Sequence, residues 1–412
     1  MKTTILTVLA SAFSMITYGQ ADNKITIGTI DSVQSNILNE NRKIWVYTPN
    51  SSSAASFIYS AQKYPVVYLL DGQQYFHSVV GMIQHLSKVN GNTMCPEMIV
   101  VGIPNTIRER DLTPTKPGDD PMLKELSFLK ITGGGEAFMS FMEKELIPYI
   151  DSKYPTQPYK MLIGHSLGGL AVMNTVINHT RLFNAYICID PSMWWDNMTF
   201  LKTTKEALTG KDFNGTALYV GIANSLEEGM DIKKLPEYTA TFTRHIRSIL
   251  DMDGFIKNKK PKGLRYASKY YENETHGSVP LITTYDGLRF IFEKYQLKLQ
   301  DKDRTDSTVA LAEKIEVHYK EISKLFGYEV KPPESEINTW AYRFLQRKQY
   351  KKAEGFLILN MDNYPASFNV YDSYGDFYVA IGDKSKAIEK FQKALSIKEN
   401  TGTRDKLNKL LE

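Results

Sequence analysis

Only two cysteines, Cys95 and Cys188, occur in 412 residues, too few for a disulfide scaffold or a cysteine-based zinc site. Charge of one sign is equally scarce. Fifty Lys and Arg stand against 46 Asp and Glu, a net charge of +4, which gives no reason to expect a nucleic-acid partner. Beyond the first twenty residues no apolar run approaches the roughly 20 residues a membrane-spanning helix needs. Metal and phosphate signatures are missing too: there is no H-E-x-x-H and no run of Asp at ligand spacing. Gly133-Gly134-Gly135 neither follows a strand nor continues into G-x-x-x-x-G-K-[ST], and reads as a loop leading into a helix. The sequence therefore calls for no metal and no cofactor.

What is present is globular: 42% hydrophobic and 23% charged residues, with 25 Tyr and 19 Phe, which excludes a disordered or collagen-like chain. The length suits two domains, or one large domain with an appendage. Residues 1–20 read as a cleavable secretory signal: Met1-Lys2, an apolar run over 5–16, then Thr17-Tyr18-Gly19-Gln20-Ala21. No Cys stands at the cleavage point, which argues against a lipid-anchored precursor. The mature chain is expected in the periplasm or outside the cell, with Cys95 and Cys188 as buried free thiols.

Residues 21–298 alternate between two patterns. Short, almost continuous apolar runs over 64–70, 98–103, 161–163, 185–189 and 217–222 each end in Gly, Pro, Asp or Asn, as strands buried on both faces of a parallel sheet must. Helical periodicity fills the gaps over 136–150, 167–178, 238–250 and 279–295, and residues 24–48 read as antiparallel edge strands. This predicts an α/β fold: a mostly parallel central sheet with helices on both faces.

Within it, Gly164-His165-Ser166-Leu167-Gly168-Gly169 sits between a strand and a helix. That is the strand–turn–helix elbow that presents a serine hydroxyl at the sheet edge, its glycines required where a Cβ would clash. A serine needs a base. Of seven histidines only His276 lies in a loop after the last expected strand, 265–271, and it is the candidate base. The third member should be an acid following the strand that ends near Ile222, where Glu227, Glu228 and Asp231 are all in reach. Glu272 and Glu274 are further candidates, and a bare Ser–His dyad stays open. For the oxyanion, the Leu167 amide is one donor and the Gly72 or Gln73 amide the other.

In chain order, Tyr68-Leu69-Leu70-Asp71-Gly72, Arg108-Glu109-Arg110-Asp111-Leu112-Thr113-Pro114, the Ser166 elbow, Asp190-Pro191-Ser192-Met193-Trp194-Trp195 and Thr275-His276-Gly277-Ser278 resemble one family. It is the esterase branch of the α/β-hydrolases, near the ferric-siderophore esterases, and the resemblance spans roughly residues 25–298. That branch is in turn similar to S-formylglutathione hydrolases and feruloyl or acetyl-xylan esterases. The resemblance implies an α/β-hydrolase fold and a small-molecule ester substrate, with Ser166 and His276 catalytic. It also implies that Arg108, Arg110 and Trp194 line the substrate cleft, the arginines suiting anionic siderophore esters. Salt bridges from these arginines to Asp111 or Glu109 are the competing reading. A carbohydrate-ester esterase and a non-catalytic binding protein on a hydrolase scaffold are the rival functions.

Residues 299–334 read as a linker containing one helix over 309–325. Over 335–412, Trp340, Leu345, Ala353 and Leu357 recur 34 residues later as Tyr374, Val379, Ala387 and Phe391, with Ala341 matched by Gly375 and Tyr364-Pro365 closing the first unit. That is the tetratricopeptide period. About two such units are fewer than independent stability needs, so they should stack on the 309–325 helix or on the hydrolase. A protein partner, a lid over the cleft, or simple packing are the roles left open.

Overall fold

The computed structural model describes residues 25–49, 62–118, 127–306 and 310–412. The expected signal segment lies outside them. One sheet organises the first part. Its strands are β1 (Thr29–Ser35), β2 (Glu40–Tyr47), β3 (Tyr64–Leu70), β4 (Ile99–Ile103), β5 (Thr156–His165), β6 (Ala185–Ile189), β7 (Ala217–Ala223) and β8 (Arg265–Tyr271). Their order is β1-β2-β4-β3-β5-β6-β7-β8. β1 and β2 run antiparallel at the edge, and β4 through β8 are mutually parallel.

The helices are α1 (Gly72–Ser87), α2 (Arg108–Asp111), α3 (Gly135–Phe141), α4 (Ile147–Lys153), α5 (Leu167–Asn178), α6 (Thr199–Gly210), α7 (Arg244–Lys259) and α8 (Val279–Ile291). They continue with α9 (Asp301–Thr305), α10 (Leu311–Phe326), α11 (Glu334–Gln346), α12 (Tyr350–Asn363), α13 (Phe368–Ala380), α14 (Lys384–Ile397) and α15 (Thr401–Leu411). Among the described residues no helix is long and apolar enough to cross a membrane.

Strand alternation sorts the core into two layers. Tyr68, Leu162, Tyr186 and Val220 face α3, α5, α6 and α7, packing on Phe138, Val172, Phe200 and Ile249. Val67, Met161 and Ile187 face α1 and α8, packing on Phe76, Ile83 and Leu288. Cys95 and Cys188 are both free and buried, and burial pushes the Cys95 thiol up to about 12.

Two predicted helices differ in detail. The one expected over 136–150 is α3 and α4 joined by a π-helical turn, Met142–Leu146; Pro148 sits at the start of α4 and removes a donor from the ladder. The one expected over 238–250 starts at Arg244. Thr243 Oγ1 donates to the Ala240 carbonyl at 2.7 Å, a local bond that competes with helix.

The segment expected as a linker is α9 and α10, and α10 belongs to two cores at once. Its first half, Leu311 and Ile315, packs among Phe344, Phe356 and Leu357, while Ile322 and Phe326 pack into the hydrolase layer. Phe326 lies 4.7 Å from the Tyr159 ring and 5.7 Å from that of Phe292, centroid to centroid. The joint is thus beside the start of β5, about 23 Å of strand from Ser166 at roughly 3.3 Å per residue. It lies at the rim opposite the elbow, so this contact forms no lid over the cleft. Beyond it, the sequence period reappears as geometry: α11 and α13 start 34 residues apart, as do α12 and α14. A Cβ on Gly375 would overlap the Phe391 ring, which explains the small residue there.

Replacing Phe326 by Ala removes the aromatic plug of the joint. We expect a loss of about 3–5 kcal/mol, the cost of a large core truncation, measured by urea unfolding. An unchanged midpoint would show that the helical region is only tethered.

Candidate active site

The site is assembled where parallel strands end in register. Pairing of His165 with Ile189 sets Ser166 and Asp190, each one residue past its strand, side by side at the C-terminal rim. Both turns are strained: Ser166 has φ 61° and Asp190 φ 40°, and Asp71, one residue past β3, has φ 52°. Non-glycine residues rarely adopt positive φ, and do so where surrounding contacts hold them. The Ser166 amide donates to the Ile189 carbonyl at 3.0 Å, and the Ser192 amide to the Ser166 carbonyl at 3.1 Å. A Cβ at Gly164 would overlap the Gly168 carbonyl, so the elbow closes only with glycine there.

Asp190 is the centre of the polar network. Its side chain is 1% exposed. Oδ1 accepts the Ala223 amide at 2.9 Å, and Oδ2 is bonded to His276 Nδ1 at 2.6 Å and to His245 Nε2 at 2.9 Å. Burial alone would raise this carboxyl, but the two histidine bonds and the Ala223 amide hold it well below the usual carboxylate range. Against an ionised Asp190 the His276 proton sits on Nδ1, which leaves the Nε2 lone pair for a base. The His276 ring lies 4.4 Å from that of His165, the residue before Ser166, so hydroxyl and imidazole share one rim. No hydrogen bond joins them in this structure: Ser166 Oγ is 3.4 Å from Ser192 Oγ. Such bonds are often long before substrate binds.

Glu227, Glu228 and Asp231, the acids expected to hold His276, do not touch it. All three are exposed on the turn after β7, and Asp231 instead accepts the Lys233 amide at 2.9 Å. Glu272 and Glu274 join that turn through backbone carbonyls to Asn224. Sequence reasoning passed over Asp190, although it stands one residue past an apolar strand just as Ser166 does. His245, inside the helical pattern expected over 238–250, was missed as well.

The two arginines are committed to carboxylates within the chain. Arg108 donates Nε and NH2 to Asp71 Oδ1 and Oδ2 at 2.7 and 3.0 Å, and NH2 also to the His165 carbonyl at 3.3 Å. It therefore ties the turn after β3 to the elbow. Arg110 pairs with Glu40 and Asp111, and Arg42 joins the same carboxylates. The Arg110 guanidinium outweighs the opposing effect of partial burial and lowers Glu40 to about 2. The salt-bridge reading thus fits both, with Asp71, Glu40 and Asp111 as the partners. Trp194 is half-buried four residues after Asp190, with the Arg244 guanidinium 5.9 Å above its ring. Gly72 and Gln73 open α1 and Leu167 opens α5, where first-turn amides have no intrahelical acceptor. At Gly72 a Cβ would lie 2.5 Å from the Ile103 nitrogen.

The family described as "Putative esterase" matches residues 35–218. An IroE-like serine hydrolase from Shewanella oneidensis superposes with a TM-score of 0.68 at 30% identity, covering 81% of this chain and 99% of that one. The chain belongs to this esterase family. Ferri-bacillibactin esterase BesA of Bacillus subtilis is 29% identical over 197 residues, 46% of this chain and 67% of that protein. The siderophore triacetylfusarinine C esterase of Aspergillus fumigatus is 25% identical over 175 residues, 40% and 60% of the two chains. The protein is a carboxylic ester hydrolase by family.

One consequence for stability follows in this esterase. His165 is buried beside His276, and desolvation, then the His276 charge, pulls it down from 6.5 to about 4. As pH falls, the unfolded chain takes up that proton first, so stability is full above about 6.5 and declines towards 4. His165→Asn should flatten the stability–pH curve between 6.5 and 4, read by urea unfolding across that range. A slope equal to wild type would contradict this origin.

Proposed function

We propose that this chain is a serine esterase working through Ser166, His276 and Asp190, with siderophore-like esters as its substrates. The observation that carries the reading is the 2.6 Å bond between Asp190 Oδ2 and His276 Nδ1, at the rim where Ser166 stands on its strained turn. Asp190 fixes the tautomer in which Nε2 accepts a proton. His276 takes the Ser166 Oγ proton as that oxygen attacks the ester carbonyl. The oxyanion is received by the Leu167 amide together with that of Gly72 or Gln73. The bond to the leaving oxygen then breaks as His276 returns the proton to it, so the alcohol departs and the acyl group stays on Ser166 Oγ. Water, deprotonated by the same imidazole, releases the acid and restores the hydroxyl. Buried Asp190 stabilises the imidazolium formed in each half without itself taking the proton.

The substrate class is supported by relatives whose names specify ferri-bacillibactin, triacetylfusarinine C and enterobactin esterases. In this reading Trp194, four residues past Asp190, lines the substrate cleft. Arg108 acts on Asp71 and the elbow rather than on substrate. Export is part of the reading, carried by the charged start and apolar run of residues 1–20.

Purified protein should turn over p-nitrophenyl acetate and release acid from bacillibactin or triacetylfusarinine C faster than from feruloyl or acetyl-xylan esters. Ser166→Ala should lower kcat by roughly 10⁴-fold or more, as loss of a nucleophile does. Turnover surviving that substitution would overturn the assignment.

A further inference from the structure

Asp190 carries two imidazoles on one oxygen, and only one of them is needed as a base. His245, the second residue of α7, reaches Oδ2 with Nε2 at 2.9 Å, while His276 occupies the same atom from the β8–α8 loop at 2.6 Å. The two rings meet edge to face, 5.1 Å apart and 88° between planes. His245 is largely covered, with 17% of its side chain exposed. We infer that His245 is a positioning residue of the hydrolysis: its Nε2–H, donated to Asp190, aims the carboxylate at His276 and tempers its charge.

First, a carboxylate past a strand end can rotate about its last torsion. The Ala223 amide holds Oδ1, and His245 reaches Oδ2 from α7. With three donors on two oxygens, the lone pair facing His276 is fixed. Second, each donor withdraws charge from the acceptor it shares. With His245 in place the Asp190 oxygen accepts the His276 Nδ1–H less strongly and stabilises the imidazolium less, so the imidazolium formed on attack gives its Nε2 proton to the leaving group more readily. A lone Asp–His pair would hold it harder. The titratable groups around the pair are Asp190 from β6, His165 from β5 and, on the helix of His245 itself, Arg244, whose NH2 is bonded to the Trp194 carbonyl at 3.1 Å.

The inference rests on the triad reading, and the two fail separately. Turnover surviving Ser166→Ala removes the triad, whereas the following results bear on His245 in an enzyme whose Ser166 dependence is established. His245→Phe keeps a ring and removes the donor. It should lower kcat about tenfold or more, the scale of one hydrogen bond to a charged group, with KM unchanged. The acid limb of the kcat/KM profile should move to higher pH. His245→Gln, whose amide nitrogen can replace Nε2–H, should restore both. Wild-type kcat and pH profile in the Phe variant would overturn the inference. So would equal losses in Phe and Gln, which would mean packing alone. Should the Phe variant not fold, nitrogen-15 spectra of wild-type histidines decide: the Nε2–H tautomer of His245 at neutral pH supports the role, and the Nδ1–H tautomer overturns it.

Discussion

A carboxylate sealed from water must either find donors or surrender its charge, and the way Asp190 meets that demand shapes the whole catalytic rim. Its three N–H partners come from the end of β7, from α7 and from the loop after β8. Each partner requires its element to end or begin at that spot. The parallel register supplies this: β5 and β6 finish level with each other, and β7 and β8 finish level two residues further on. The interaction that orients one imidazole is therefore also a clamp on three strand ends and the start of α7.

Strain is distributed along the same edge. Asp71, Ser166 and Asp190 each take a left-handed backbone immediately after β3, β5 and β6. None could persist alone. Asp71 is held by the Arg108 fork and by Asn105 Nδ2 at 2.6 Å, Ser166 by its backbone bonds to Ile189 and Ser192, and Asp190 by the histidines. Arg108 also reaches the His165 carbonyl, so the strained turns are braced against each other. A buried guanidinium–carboxylate pair of this kind adds little net stability; its use is to hold geometry.

Much of this was legible in the sequence. The buried strands announced themselves as unbroken apolar runs, because both faces of a parallel sheet are covered, and the elbow was marked by glycines whose places leave no room for a Cβ. His276 was singled out by chain order, and the structure sets it against Asp190. Asp190 was not singled out, because it looked like a strand terminator, and Glu227, Glu228 and Asp231 stand where a carboxylate was expected. Only the register between neighbouring strands and the burial of Asp190 separate these choices, and neither is written in local composition. His245 was hidden for a related reason: on a helical pattern it reads as a boundary residue until α7 is packed against the end of β6. Similarly, the repeat period was plain, but the double membership of α10, with Leu311 in one core and Phe326 in the other, emerges only from packing.

The helical region meets the hydrolase at the rim opposite Ser166, which separates whatever it does from the chemistry and leaves the catalytic face to the strand ends and their loops. The claim on which that chemistry turns is that Asp190, rather than an acid after β7, completes the triad. The most direct measurement compares kcat of Asp190→Asn with that of a combined Glu227→Gln, Glu228→Gln, Asp231→Asn variant. This account predicts a loss of about 10⁴-fold in the first, the scale seen when a triad carboxylate is neutralised, and wild-type turnover in the second. Full activity in Asp190→Asn, with the loss appearing in the combined variant, would contradict it.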